Sequence, residues 1–182
     1  EKVYLSWRSP GSVAEYDLAY YDEVFEQQIG CGYGGCFFGV RFTPANYPAT
    51  LQNVVVSIQG TEYGGGTSNL ATIFVYLDPD GSISGPSGDP VYSMNGLDFS
   101  TEDAALTQFS VDLSDAGIEV SSGDVYIVIS DGGGFLSLAN DLEPSSPEYF
   151  DRNWVSTGYG FTTIFDSYAS LAGDFGILAG FI

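Results

Sequence analysis

Short apolar runs punctuated by Gly, Pro, Asn, Asp and Ser recur along the chain, and no stretch sustains the 3.6-residue period of an amphipathic helix. Runs rich in Val, Ile, Phe and Tyr predict strands at Val3–Trp7, Glu23–Ile29, Cys36–Phe42, Thr50–Gln59, Ala71–Asp78, Pro90–Met94, Leu106–Asp112, Asp124–Ser130, Glu148–Ser156 and Asp174–Phe181. Val54-Val55-Val56-Ser57-Ile58 and Val125-Tyr126-Ile127-Val128-Ile129 are nearly continuously apolar, so either both faces of these strands are expected to be covered or one face meets aromatic neighbours. Glu15–Gln28 is the best acidic helix candidate, but it carries too many Tyr and Phe and no clean polar face. A helical turn is allowed only near Ser114–Gly117 or Thr101–Ala105. About ten short strands between turns predict an all-β fold: two packed antiparallel sheets forming a sandwich.

The chain has 182 residues, which suits one domain over 1–182 with a sizeable core. Its opening EKVYLSW has neither an initiator Met nor a signal-like stretch, which leads to the expectation of a processed, mature form. Four Lys and Arg stand against 24 Asp and Glu, a formal charge of −20. Nucleic-acid binding needs cations that displace counterions from phosphates, so that class is excluded, and anionic lipid surfaces are disfavoured for the same reason. No apolar run approaches the ~20 residues of a membrane-spanning helix, so no insertion is expected.

Candidate chemistry narrows quickly. There is no histidine, which removes Ser-His-Asp and Cys-His catalysis and any His-ligated metal. Cys31 and Cys36, in CGYGGC, are the two cysteines. A structural zinc would need two more Cys or His ligands, and a redox thiol a helix N-terminus or a cationic neighbour. A disulfide between them remains, contributing roughly 2 kcal/mol for so small a ring and fitting an oxidising compartment. The glycine runs after Tyr63 and Asp131 lack the Lys-Ser/Thr of a phosphate loop and read as turns.

Calcium is the one cofactor the sequence suggests. Asp78-Pro-Asp80-Gly-Ser82 places side-chain oxygens at alternate positions, and Asp89 closes the same loop. A plain Asp/Gly turn explains the same residues. Further acids group at Asp17, Asp22, Glu23 and Glu26, and at Asp141 with Glu143. Thirteen Tyr, thirteen Phe and two Trp exceed what one sandwich core requires. Tyr16, Tyr20, Tyr21, Tyr33, Tyr63, Tyr149, Tyr159 and Tyr168 fall in or near expected loops, where they could stack on sugar rings, form subunit contacts or pack as core.

Four segments carry a family resemblance: GVRFTPANYPATLQNVVVSI (39–58), FVYLDPDGSISGPSGDPVYS (74–93), FSVDLSDAGIEVSSGDVYIVIS (109–130) and GDFGILAGF (173–181). In this order they resemble a secreted bacterial accessory β-sandwich, of jelly-roll type, found in cell-surface proteins and beside extracellular proteases. The resemblance implies a jelly-roll fold and an extracellular or cell-surface address more than an activity.

Three functions follow as expectations. The first is a non-catalytic structural protein, a self-assembling surface or filament subunit. Residues 1–8 would then act as an exchanged or donor strand presenting Val3, Leu5 and Trp7 on one face to a neighbouring copy. Pairing of that strand within its own domain, beside the closing strand, is the alternative. The second is a carbohydrate-binding accessory module with a polysaccharide partner. The third is a hydrolase built on a carboxylate pair, against which stands the absence of any visible site; a non-enzyme is expected.

Overall fold

The computed structural model describes residues 16–22, 24–30, 35–59, 70–82, 84–101, 106–131, 136–142, 151–168 and 173–182. Its strands are β1 (Tyr16–Leu18), β2 (Gln27–Ile29), β3 (Phe37–Phe42), β4 (Ala49–Gln59), β5 (Leu70–Asp78), β6 (Tyr92–Asp98) and β7 (Leu106–Asp112). After a 3₁₀ turn at Ser114–Ala116 come β8 (Glu119–Val120), β9 (Asp124–Asp131), β10 (Leu138–Asp141), β11 (Asn153–Ser156) and β12 (Thr162–Thr163). A short helix, α1 (Ile164–Ser167), precedes β13 (Asp174–Phe175) and β14 (Ile177–Phe181). The first antiparallel sheet runs β1-β14-β4-β10-β13, with β2 beside β10 and both β7 and β8 along β4. The second runs β12-β11-β3-β9-β5-β6.

The two-residue period of a strand explains the layering. Along β9, Val125, Ile127 and Ile129 point into the main core, while Tyr126 and Val128 point to the opposite face and are also buried. Phe38, Val40 and Phe42 of β3 join the same core, as do Leu51, Val54, Val56 and Ile58 of β4 from the other sheet. Phe38 meets Phe175 edge-on, ring centroids 5.8 Å apart, so an aromatic pair ties the second sheet to the first across the sandwich. The run on β9 is buried on both faces; on β4 the second face is covered at Ser57 but only half-buried at Val55.

The all-β sandwich expected from the sequence is the fold observed. Five of the ten expected strands, β3, β4, β5, β7 and β9, lie within a residue or two of their expected limits. The strand expected at 23–29 shortens to 27–29, the one at 90–94 shifts to 92–98, the one at 148–156 is described as a strand only over 153–156, and the helical turn lies at Ser114–Ala116. Several differences have physical causes. The expected closing strand 174–181 is broken at Gly176, where an added Cβ would lie 2.7 Å from the Ser57 side chain. Strand β10, sequence LAND, was not expected; its Asn and Asp read as loop residues, yet pairing with β2, β4 and β13 buries them. Helix α1 corrects the expectation that the 114–117 and 101–105 regions are the only places for a helical turn. It forms because Thr163 caps it, accepting the Asp166 N–H at 3.1 Å, while Ile164 anchors it in the core.

The expected donor strand with Val3, Leu5 and Trp7 lies outside the described residues. The edge of the closing strand is occupied by β1, with Tyr16 opposite Phe181 and Leu18 opposite Ala179. Among the described residues no helix is long and apolar enough to cross a membrane.

Candidate functional site

An open aromatic site lies where β11, β12 and α1 meet. The chain leaves β11 through Ser156-Thr157-Gly158-Tyr159-Gly160-Phe161. Gly158 and Gly160 have φ of +100° and +106°, a region that L side chains rarely adopt. These two bends lift Tyr159 clear of the fold, and it is 99% exposed. Gly158 N–H donates to Ser156 Oγ at 3.2 Å, which holds the first bend. Phe161 pins the other end by packing against Phe37 and Tyr76, with centroids 6.2 and 6.5 Å away.

Tyr159, Phe161 and Tyr168 surround a pocket of about 230 Å³. Tyr168 stands at the C-terminal end of α1, its N–H donating to the Ile164 carbonyl, and its ring is 47% exposed. Ser156, Thr157, Thr162 and Ser167 add hydroxyls to the lining, and Val155 adds an apolar wall. Ser167 Oγ and Thr162 Oγ1 are 3.2 Å apart. Among the described residues the lining carries neither a carboxylate nor a cation. Rings that can stack, with hydroxyls that both donate and accept, suit a ligand that is itself apolar on its faces and hydroxylated at its edges.

Phe161 also belongs to a second layer of aromatics on the outer face of the second sheet. There Tyr126, Val128 and Trp154 form a small cluster with Phe37, Phe74 and Tyr76 packed around it. The loop after β5 closes over this cluster at Gly85, where an added Cβ would sit 2.7 Å from the Trp154 ring. Burial pushes the Tyr126 phenol up to about 12; Asp78 and Asp124 add to the rise, and Arg41 opposes it. At the same end Arg41 is buried between two carboxylates, Asp124 at 3.0 Å and Asp151 at 2.9 Å, and Asp124 accepts a further bond from Thr43 at 2.6 Å.

The expected calcium residues are only partly brought together. Asp78 accepts the Ser82 backbone N–H at 2.9 Å and contacts its hydroxyl at 3.2 Å, an arrangement that closes the turn from within the chain. Asp80 and Asp89 are exposed on the same loop. Among the described residues no group of three acidic side chains is gathered as a metal site would need. Cys36 is buried and disulfide-bonded; Cys31 lies outside the described residues.

The two acidic groups read separately in the sequence meet in the fold. Asp22 N–H donates to Asp141 Oδ2 at 2.9 Å, and Leu142 N–H to Glu26 Oε2 at 2.8 Å. Glu23 and Glu143 fall outside the described residues. Asp174, not singled out in the sequence, pairs with Asp141 across β10 and β13. Burial pushes its carboxyl up to about 6, opposed by the Asn153 side-chain amide at 2.8 Å; neighbouring Asp141 adds to the rise, and Arg152 opposes it.

The loop tyrosines divide. Tyr16 stacks on Phe181 and Tyr20 on Phe42, with the Arg152 guanidinium 4.1 Å from the Tyr20 ring, and Tyr21 is buried against Phe25. Tyr33, Tyr63 and Tyr149 lie outside the described residues. Tyr159 and Tyr168 are the members of this set that reach solvent among the described residues. The Gly-Tyr-Gly triplet was the available sign for Tyr159; Phe161 and the hydroxyls carried none.

No protein-family model matches the chain, and no curated protein matches it either. Solved structures share its fold, two of them of one protein. One is a clostridial cysteine protease, Cwp84, after propeptide cleavage (TM-score 0.61), and the other the cysteine protease and lectin-like domains of Cwp84, a surface layer associated protein of Clostridium difficile (TM-score 0.60). Each alignment covers 92% of this chain at 10% identity, a likeness of fold. The chain spans 40% and 36% of the lengths of those two Cwp84 chains.

Proposed function

We propose that this chain is a non-catalytic carbohydrate-binding accessory module of the cell surface, with its glycan seated on Tyr159 beside Phe161 and Tyr168. The observation that carries the reading is the 99% exposure of Tyr159, held out by two positive-φ glycines at the mouth of a hydroxyl-lined pocket. A ring held out by a fixed backbone shape offers an apolar face on which a sugar ring can stack. The fold shared with a structure described as holding lectin-like domains of a surface-layer-associated protein supports both the ligand class and the address. The absence of histidine and the uncharged lining support a binding role, since glycoside hydrolysis needs two carboxyl groups flanking one bond.

The filament-subunit expectation finds no support in the fold or in the comparisons, so the carbohydrate reading replaces it. The test is a glycan array followed by titration calorimetry on the best ligand. Tyr159→Ala is expected to weaken binding by ~tenfold or more, about 1.4 kcal/mol, with an unchanged melting temperature. An array without a hit, or a Tyr159→Ala protein that binds as before, would overturn the proposal.

A further inference from the structure

We infer that the pocket takes a single uncharged sugar ring and discriminates against anionic glycans; this rests on the carbohydrate reading above and names its ligand class. The side chains lining the pocket among the described residues are hydroxylic, aromatic or aliphatic, so nothing there pairs with a carboxylate, sulfate or phosphate. Among the described residues the cations are engaged elsewhere. Arg41 is held by Asp124 and Asp151, and Arg152 lies over Tyr20. Asp166, on the helix that carries Ser167 and Tyr168, is exposed and fixed by Thr163 Oγ1 at 2.7 Å. It sets a negative charge beside the site, on a protein already at −20.

The hydroxyls are poised for neutral oxygens. Ser156 Oγ accepts the Gly158 N–H, which leaves its own proton to donate. A sugar hydroxyl or an acetamide carbonyl can accept such bonds, while the ring's apolar face lies on Tyr159. The size limits the ligand further. About 230 Å³ is below the ~300 Å³ at which pockets begin to enclose drug-sized ligands, so one ring fills it.

The test is binding of the whole chain to three immobilised panels: neutral polysaccharides (β-glucan, mannan, galactan), polygalacturonate as anion, and chitosan as cation. A neutral glycan is expected to bind, to lose ~tenfold or more with Tyr159→Ala, and to change less than about twofold between about 50 and 500 mM salt. Its affinity is expected to stay level from the monosaccharide upward. Binding of polygalacturonate or chitosan that Tyr159→Ala removes, without a neutral hit, would keep the carbohydrate reading and sink this inference. Affinity that climbs steadily with chain length would sink the single-ring part. If no panel binds, both fall.

Discussion

At Gly85 the chain comes down onto the outer aromatic face of the second sheet; at Gly158 and Gly160 it lifts away from the same face. All three glycines have positive φ. At Gly85 a methyl group would strike the Trp154 ring, whereas nothing lies within 4 Å of a methyl group at Gly158 or Gly160. Glycine therefore serves two ends here. In the closed loop it permits close approach and completes a small core over Tyr126 and Trp154. In the open loop it permits only a backbone shape, whose product is an unprotected Tyr159. The same residue type, in loops of similar composition, seals one aromatic cluster and displays another.

The contrast breaks most severely at Arg41. This side chain holds Asp124, over which the closed loop turns at Gly81, and also Asp151 at the entrance to β11. Arg41→Ala leaves two carboxylates without their buried cation and is expected to cost about 3–5 kcal/mol in denaturant unfolding. A loss below about 1 kcal/mol would show that the closed end is held by packing alone.

Gly85→Ala should cost about 1–3 kcal/mol by overpacking against Trp154. It also gives a spectroscopic reading. The folded Tyr126 ionises near 12, while the unfolded residue ionises near 10. Between these values the folded chain keeps a proton that the unfolded chain has lost, so stability falls as pH rises from about 10 to 12. In tyrosine labelled at Cζ, the Gly85→Ala variant should bring the Tyr126 titration back towards 10. An unmoved midpoint would mean that the loop does not seal the phenol.

The smallest effect is expected at the open loop. Gly160→Ala meets no neighbour and costs only the strain of positive φ, about 1 kcal/mol. Its signature is a weaker glycan affinity with little change in melting temperature. A variant that binds as tightly as the parent would separate the display of Tyr159 from recognition.

The sandwich was legible because β4, β5 and β9 declare themselves through Val, Ile and aromatic runs that need two covered faces. Strand β10 was not, since Leu-Ala-Asn-Asp acquires its burial only from its partners. Helix α1 hid behind Thr162, Thr163 and Ile164, whose β-branched chains suggest strand, while the Thr163–Asp166 cap that sets it is local and brief. The site was legible in kind and not in place. The surplus of tyrosine pointed to displayed rings, but Tyr16 and Tyr20 look no different in sequence from Tyr159 and Tyr168. Core stacking on Phe181 and Phe42 removes the first two. The acidic loop at Asp78 shows the converse, a metal-like spacing in which Ser82 meets the Asp78 carboxylate.

The pairing of β1 with β14 also determines how this fold bears load. Tyr16 and Phe181 lie opposite each other, so the start of β1 and the end of β14 flank the same end of an antiparallel pair. Tension between those flanks would open the ladder one hydrogen bond at a time, because bonds perpendicular to the strands are met in sequence rather than together. The stacked Tyr16 and Phe181 rings are the first clasp to part. A force applied at Tyr16 and Phe181 would peel β1 from β14 from that end inwards.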